Sequence, residues 1–217
     1  MKSKIQTARK WPWGTIIGFS SVGSYITFTI IAIILFPEPV SPLDVYLSRL
    51  GNADVSPDGA LFYNLAVILG GVAEILFFIA VFVHYSTRDR ICLWRIAVLV
   101  GIINGISVLM SGVYAEHVNM GAHTTWSYII FISLIPTLLA FNLLFRVAPG
   151  VSKCVSGYGF LVCAIDIFFL VTILNGGLEP GLVSFMEWFS VFTFLGWVLL
   201  LSLNMLAVRF PFTENVP

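Results

Sequence analysis

The chain has 217 residues and zero formal net charge, with 59% hydrophobic and only 10% charged residues; its mean hydropathy is +0.98. A soluble domain carries about 25% charged residues, so this composition excludes a soluble globular protein. The absence of a basic excess argues against a nucleic-acid partner.

Lys2, Lys4, Arg9 and Lys10 precede a first apolar run, 14–36. That run is too long for a signal-peptide core, and no small-x-small cleavage site follows it, so it is expected to stay as a helix. Trp11 and Trp13 read as interfacial anchors at its start. Next comes a polar stretch, 37–59, in which Ser41-Pro42-Leu43-Asp44 has the form of a helix start: Ser as N-cap, Pro at the first helical position, then a carboxylate. Leu43, Tyr46, Leu47 and Leu50 follow at helical spacing and Gly51-Asn52 offers a stop. The pattern predicts a short amphipathic helix over about 42–50, lying at the membrane interface or folded over the bundle. Ser56-Pro57-Asp58-Gly59 repeats the start signal ahead of the second apolar run, 60–84.

Four further runs follow at 94–114, 124–146, 154–174 and 182–208. Each of the six reaches the roughly 20 residues a helix needs to cross the hydrocarbon core. They lack the alternation of barrel strands, and in lipid only a helix satisfies its own backbone. The expected fold is therefore all-α, a polytopic integral membrane bundle of six helices in a single domain, 1–217, with short connections and antiparallel neighbours. Residues 211–217 are expected to be only a tail.

Orientation follows from Lys and Arg. With the N-terminus inside, Arg88, Arg90, Arg95, Arg146, Lys153 and Arg209 join the N-terminal basic residues on the cytoplasmic side, and Arg49 alone lies opposite. Glu38, Asp44, Asp54, Asp58, Glu116, Glu179 and Glu187 fall on or near the outer face. Both termini are expected in the cytoplasm, and the membrane is expected to be a prokaryotic cell membrane. Cys92, Cys154 and Cys163 fall at or within the cytoplasmic half without a C-x-x-C spacing, which predicts reduced thiols.

Two sets of residues carry candidate chemistry. At the outer mouth stand Asp44, Arg49, Asn52, Glu116, His117, His123, Glu179 and Glu187. Glu116 and His123 flank a tight turn and are expected to meet, a pairing that suits acid–base work. Asp44, Arg49, Asn52, His117 and Glu187 are candidate ligand-binding groups. Glu116, His117 and His123 also form a zinc-type donor set, though at no standard metal spacing, and no cofactor is expected. The alternative is a solvated loop face on which these charges need no ligand. At membrane depth lie Glu74, Asn104 and Asp166. An ionisable group there costs several kcal/mol unless it is neutral or hydrogen-bonded. Such acids mark a proton or substrate path or bind helices together, and Gly70-Gly71 beside Glu74 signals close packing. No phosphate loop, H-E-x-x-H or G-x-S-x-G is present.

Ser41-Pro42-Leu43-Asp44, Leu47-Ser48-Arg49-Leu50-Gly51-Asn52, Ser56-Pro57-Asp58 and Phe62-Tyr63-Asn64 together resemble a prokaryotic membrane family, domain of unknown function 998. Gly112, Glu116, His123 and Glu187-Trp188 extend the likeness. Arg49 stands where relatives often carry an acid. More distantly, the layout is similar to eukaryotic membrane proteins related to the damage-regulated autophagy modulators and to a GPI-anchor lipid-remodelling factor. The resemblance implies a six-helix core and a connection to lipids on the non-cytoplasmic side. Binding or remodelling of a lipid headgroup at the outer leaflet is thus the leading expectation, with Arg49 on a phosphate. A small proton-coupled transporter using Glu74 and Asp166, and a structural subunit docking a partner or forming an oligomer, are the alternatives.

Overall fold

The structure is a computed structural model, and it describes residues 13–175 and 179–209. Lys2, Lys4, Arg9, Lys10, Trp11 and the tail 211–217 lie outside the described residues. Six long helices account for most of the rest: α1 (Trp13–Ile34), α2 (Ala60–Tyr85), α3 (Ile91–Val113), α4 (Glu116–Phe145), α5 (Lys153–Asn175) and α6 (Pro180–Arg209). All six are long and apolar enough to cross a membrane, and their exposed flanks carry large apolar side chains such as Ile16, Leu69, Leu99, Leu143, Leu161 and Leu203. Exposed hydrophobic residues on every helix are the signature of a protein solvated by lipid. The chain is an integral membrane protein.

Each helix packs on its sequence neighbours, and α6 closes back onto α1. The helices therefore form a ring, and a ring has an interior. Short connections impose the up-and-down order, which segregates the loops between two ends. One end collects Arg88, Arg90, Arg95, Arg146 and Lys153, all exposed; the other carries the long loop between α1 and α2.

Glycines set the tightest seam, between α2 and α3. A Cβ on Gly71 would lie 2.6 Å from the Gly105 carbonyl oxygen, and one on Gly105 would lie 2.7 Å from Cγ1 of Ile75. Without side chains at these positions, the two backbones approach closely, as helices in lipid do when small residues face each other. At the basic end, an aromatic cluster of Phe78, Trp94, Phe141, Phe145 and Trp197 fills the ring interior.

The loop between α1 and α2 departs from the expected helix over 42–50. Ser41 does start a turn, with its Oγ accepting the Leu43 N–H at 3.2 Å and its carbonyl accepting those of Asp44 and Val45. The turn stops there because Tyr46 is extended (φ −59°, ψ 144°), and a separate 3-10 helix covers Leu47–Gly51. Leu47 and Leu50 are fully buried, so this segment is pressed into the mouth of the ring, against α1, α2, α4 and α6. We call it the plug. The Ser56–Gly59 signal likewise gives a turn, but the Ser56 hydroxyl has no hydrogen-bond partner among the described residues, and α2 begins at Ala60 without a side-chain hydrogen bond from its N-cap, Gly59.

α4 also differs from expectation by starting early. Asn119 is extended (φ −162°, ψ 95°) within it, and its Oδ1 accepts the Ala122 N–H at 3.0 Å. Asn119 thus acts as the N-cap of the long helix, leaving Glu116–Val118 as a separate turn beside the plug.

A plugged cavity as candidate functional site

The plug is held by side chains from three helices. Glu187 of α6 accepts the backbone N–H groups of Leu47 at 2.8 Å and Ser48 at 3.3 Å. The first N–H groups of any helix lack internal partners, and here a carboxylate from a distant helix supplies the cap, where negative charge is favoured. Next to it, Trp188 donates its indole N–H to the Val45 carbonyl at 2.8 Å. Glu116 accepts from Ser48 Oγ at 3.3 Å and from Asn52 Nδ2 at 3.1 Å. Asn64 of α2 donates to the Gly51 carbonyl at 2.9 Å. His117 Nδ1 accepts the Ala53 N–H at 3.2 Å, so that nitrogen is unprotonated. A side chain at Gly51 would run into Asn64 and Tyr63.

Beneath the plug a cavity runs inward between α1, α2, α3, α4 and α6. Ser48, Asn64, His123 and Glu187 line its plugged end, and Glu74 and Asn104 line its deeper part. It holds about 110 Å³ that the centre of a water-sized molecule can reach, room for several waters or a slender chain. Its walls are mainly apolar, including Val67, Phe131, Leu134 and Phe194. Glu74 stands roughly half-way along α2, one turn from the Gly71 seam, and is only 6% exposed; its Oε1 has no hydrogen-bond partner among the described residues. Asn104 spends both amide hydrogens on α4, at Ile130 O (2.6 Å) and Ser133 Oγ (2.9 Å). Asp166 of α5 is fully buried. Its Oδ1 accepts from the cavity residue Ser190 at 3.0 Å, and its Oδ2 has no partner among the described residues.

The two sequence-derived sets are thereby redistributed. Glu116 and His123 do not meet, because the extended Asn119 turns Glu116 toward the plug. His123 Nδ1 instead lies 3.1 Å from the carbonyls of both Ser111 and Tyr114. Carbonyls only accept, so Nδ1 carries a hydrogen, and the ring lines the cavity. Asp44 and Arg49 are exposed and line a separate surface groove with Glu38 and Tyr46, whereas His123 lines the cavity. Among the described residues no three His, Cys, Asp or Glu side chains converge as metal ligands. Glu187 and Asn52 belong to the plug contacts. Glu179 is exposed.

Sequence reasoning missed Ser48, Asn64, Tyr25, Tyr63 and Ser190. Tyr25 and Tyr63 pair through their hydroxyls at 3.3 Å on the cavity wall. Ser48 and Asn64 were present in the motif strings but carry no signal of burial; only the fold shows that the motif residues clasp the plug.

A family model described as Protein of unknown function (DUF998) matches residues 21–204. Comparison with curated proteins and with solved structures finds no match. The match spans most of the chain, which belongs to this family.

Proposed function

We propose that this DUF998 member binds a membrane amphiphile, with its polar head in the cavity beneath the plug and its apolar part along the cavity's apolar wall. One observation carries the reading: an apolar cavity with a few convergent polar groups runs from the plug to Glu74 at mid-helix. Ligand sites have this form, mostly apolar with a small number of placed polar groups. The plug lies at the loop end, and the Lys and Arg distribution supports reading that end as the non-cytoplasmic face; on that reading the ligand comes from the outer leaflet. Lipid remodelling would require His123, the imidazole that lines the cavity. Glu116 acts as a positioning residue for the plug, not as its partner.

Native mass spectrometry of the detergent-purified protein tests this. A discrete lipid adduct is expected on the wild type and is expected to vanish in Ser127→Phe, which fills the cavity from α4. Absence of any specific adduct on the wild type, or an adduct unchanged in Ser127→Phe, would overturn the reading.

A second reading, proton-linked transport, is favoured by the partnerless oxygens of Glu74 and Asp166 and by the Ser190 link from Asp166 to the cavity. It predicts pH-dependent flux in proteoliposomes that Glu74→Gln abolishes. Equal flux in the two proteins would sink it.

A further inference from the structure

We propose that the cavity selects a ligand whose polar head is a positively charged, N–H-bearing amine, and that Glu74 receives it. The inference rests on the amphiphile-binding reading and adds the charge of the head.

The cavity wall is acidic: Glu74 and Glu187 both line it, and among the described residues no Lys or Arg does. Most hydrogen-bond donors that reach the wall are spent within the protein. Asn104 gives both amide hydrogens to α4. Ser111 donates to the Val108 carbonyl at 2.8 Å, Ser190 donates to Asp166, and Asn64 gives one hydrogen to Gly51. The Nδ1 hydrogen of His123 is turned to backbone carbonyls, and one of the two tyrosine hydroxyls spends its hydrogen on the other.

Glu74 is an acceptor left over. It lines the cavity, is more than nine-tenths buried, and its Oε1 has no hydrogen-bond partner among the described residues. A buried carboxyl without donors is costly, so a ligand that brings donors gains most there. A primary ammonium offers three donors and no acceptor, which complements this wall. A phosphate or carboxylate head would instead meet two acidic side chains and, among the described lining residues, no Lys or Arg to hold it. Arg49 lies outside the cavity, in a separate surface groove.

The test measures binding of tritiated decylamine to the protein in nanodiscs, with empty discs subtracted. Unlabelled decylamine, decanol, decanoate and ethylamine serve as competitors. Decylamine is expected to bind about tenfold or more tightly than decanol, the scale of one lost charge-assisted hydrogen bond, and decanoate is expected not to compete. Glu74→Gln is expected to weaken decylamine by about the same factor and leave decanol unchanged. Decanoate competing as well as decylamine, or Glu74→Gln leaving decylamine binding intact, overturns the proposal. Should Glu74→Gln fail to fold, the charge ranking on the wild type decides alone. Equal binding of decylamine and decanol would leave the amphiphile reading standing and remove the amine. If neither binds, both fall. Ethylamine competing as well as decylamine would keep the amine site while removing the apolar chain from the reading.

Discussion

Glu187 sits on α6 yet completes a helix in another part of the chain, capping the plug through the amides of Leu47 and Ser48. Hydrogen bonds to a charged acceptor are worth about 1.5–3 kcal/mol each when removed. With two such bonds lost, Glu187→Ala is therefore expected to destabilise the plugged state by about 3–6 kcal/mol. Glu187→Gln, which keeps an acceptor oxygen, is expected to cost about 1 kcal/mol. Hydrogen exchange at the Leu47 and Ser48 amides checks this directly, with fast exchange expected in the alanine variant. Glu179, exposed at the same end, is the matched control, and Glu179→Ala is expected to leave those amides protected. Unchanged protection in Glu187→Ala would mean that Trp188 and Glu116 hold the plug without it.

Among the elements, the α2–α3 seam sets where Glu74 stands. Gly71 meets the backbone of Leu109 and Gly105, and a side chain there has only backbone to displace. Gly71→Val is expected to separate the helices and cost at least about 2 kcal/mol, within the range of overpacked cores. Gly157 on α5 is the opposite case, since a Cβ there meets nothing within 4 Å. Gly157→Ala is expected to be neutral or to stabilise by up to about 1 kcal/mol, through helix propensity alone. Thermal melting in detergent separates the two outcomes, and a Gly71→Val protein that melts like wild type would refute the seam.

Across the whole molecule, an even number of crossings places the described ends of α1 and α6 on one side, together with the basic loops. Cys92 and Cys154 are exposed at that end and Cys163 is buried, so the native cysteines report sidedness without new ones. Under the cytoplasmic orientation that Lys and Arg predict, a membrane-impermeant maleimide is expected to label Cys92 and Cys154 in inverted vesicles and not in intact cells. Labelling in intact cells would reverse the orientation and place the plug inside.

The six helices, their limits to within a few residues at most ends, and the concentration of acids at one end were legible in the chain. Lipid demands long apolar runs wherever the backbone crosses it, and that demand is written locally, residue by residue. The plug was half legible: Ser41 and Pro42 announce a turn, but the extended Tyr46 that ends it follows from packing Leu47 and Leu50 into the ring. Only the tertiary structure decided which polar residues act together. It drew Glu187, Glu116 and Asn64 onto one loop from three helices, parted Glu116 from His123 at Asn119, and left Arg49 outside. Hydrogen-bond partners more than 60 residues apart leave no periodic trace in a sequence, because they depend on ring closure and not on local spacing. Glu74 lies between these cases. Its presence at membrane depth is plain from the chain, but that its Oε1 has no partner among the described residues, on a cavity wall they line without Lys or Arg, emerges only when every neighbour's hydrogen bonds have been placed.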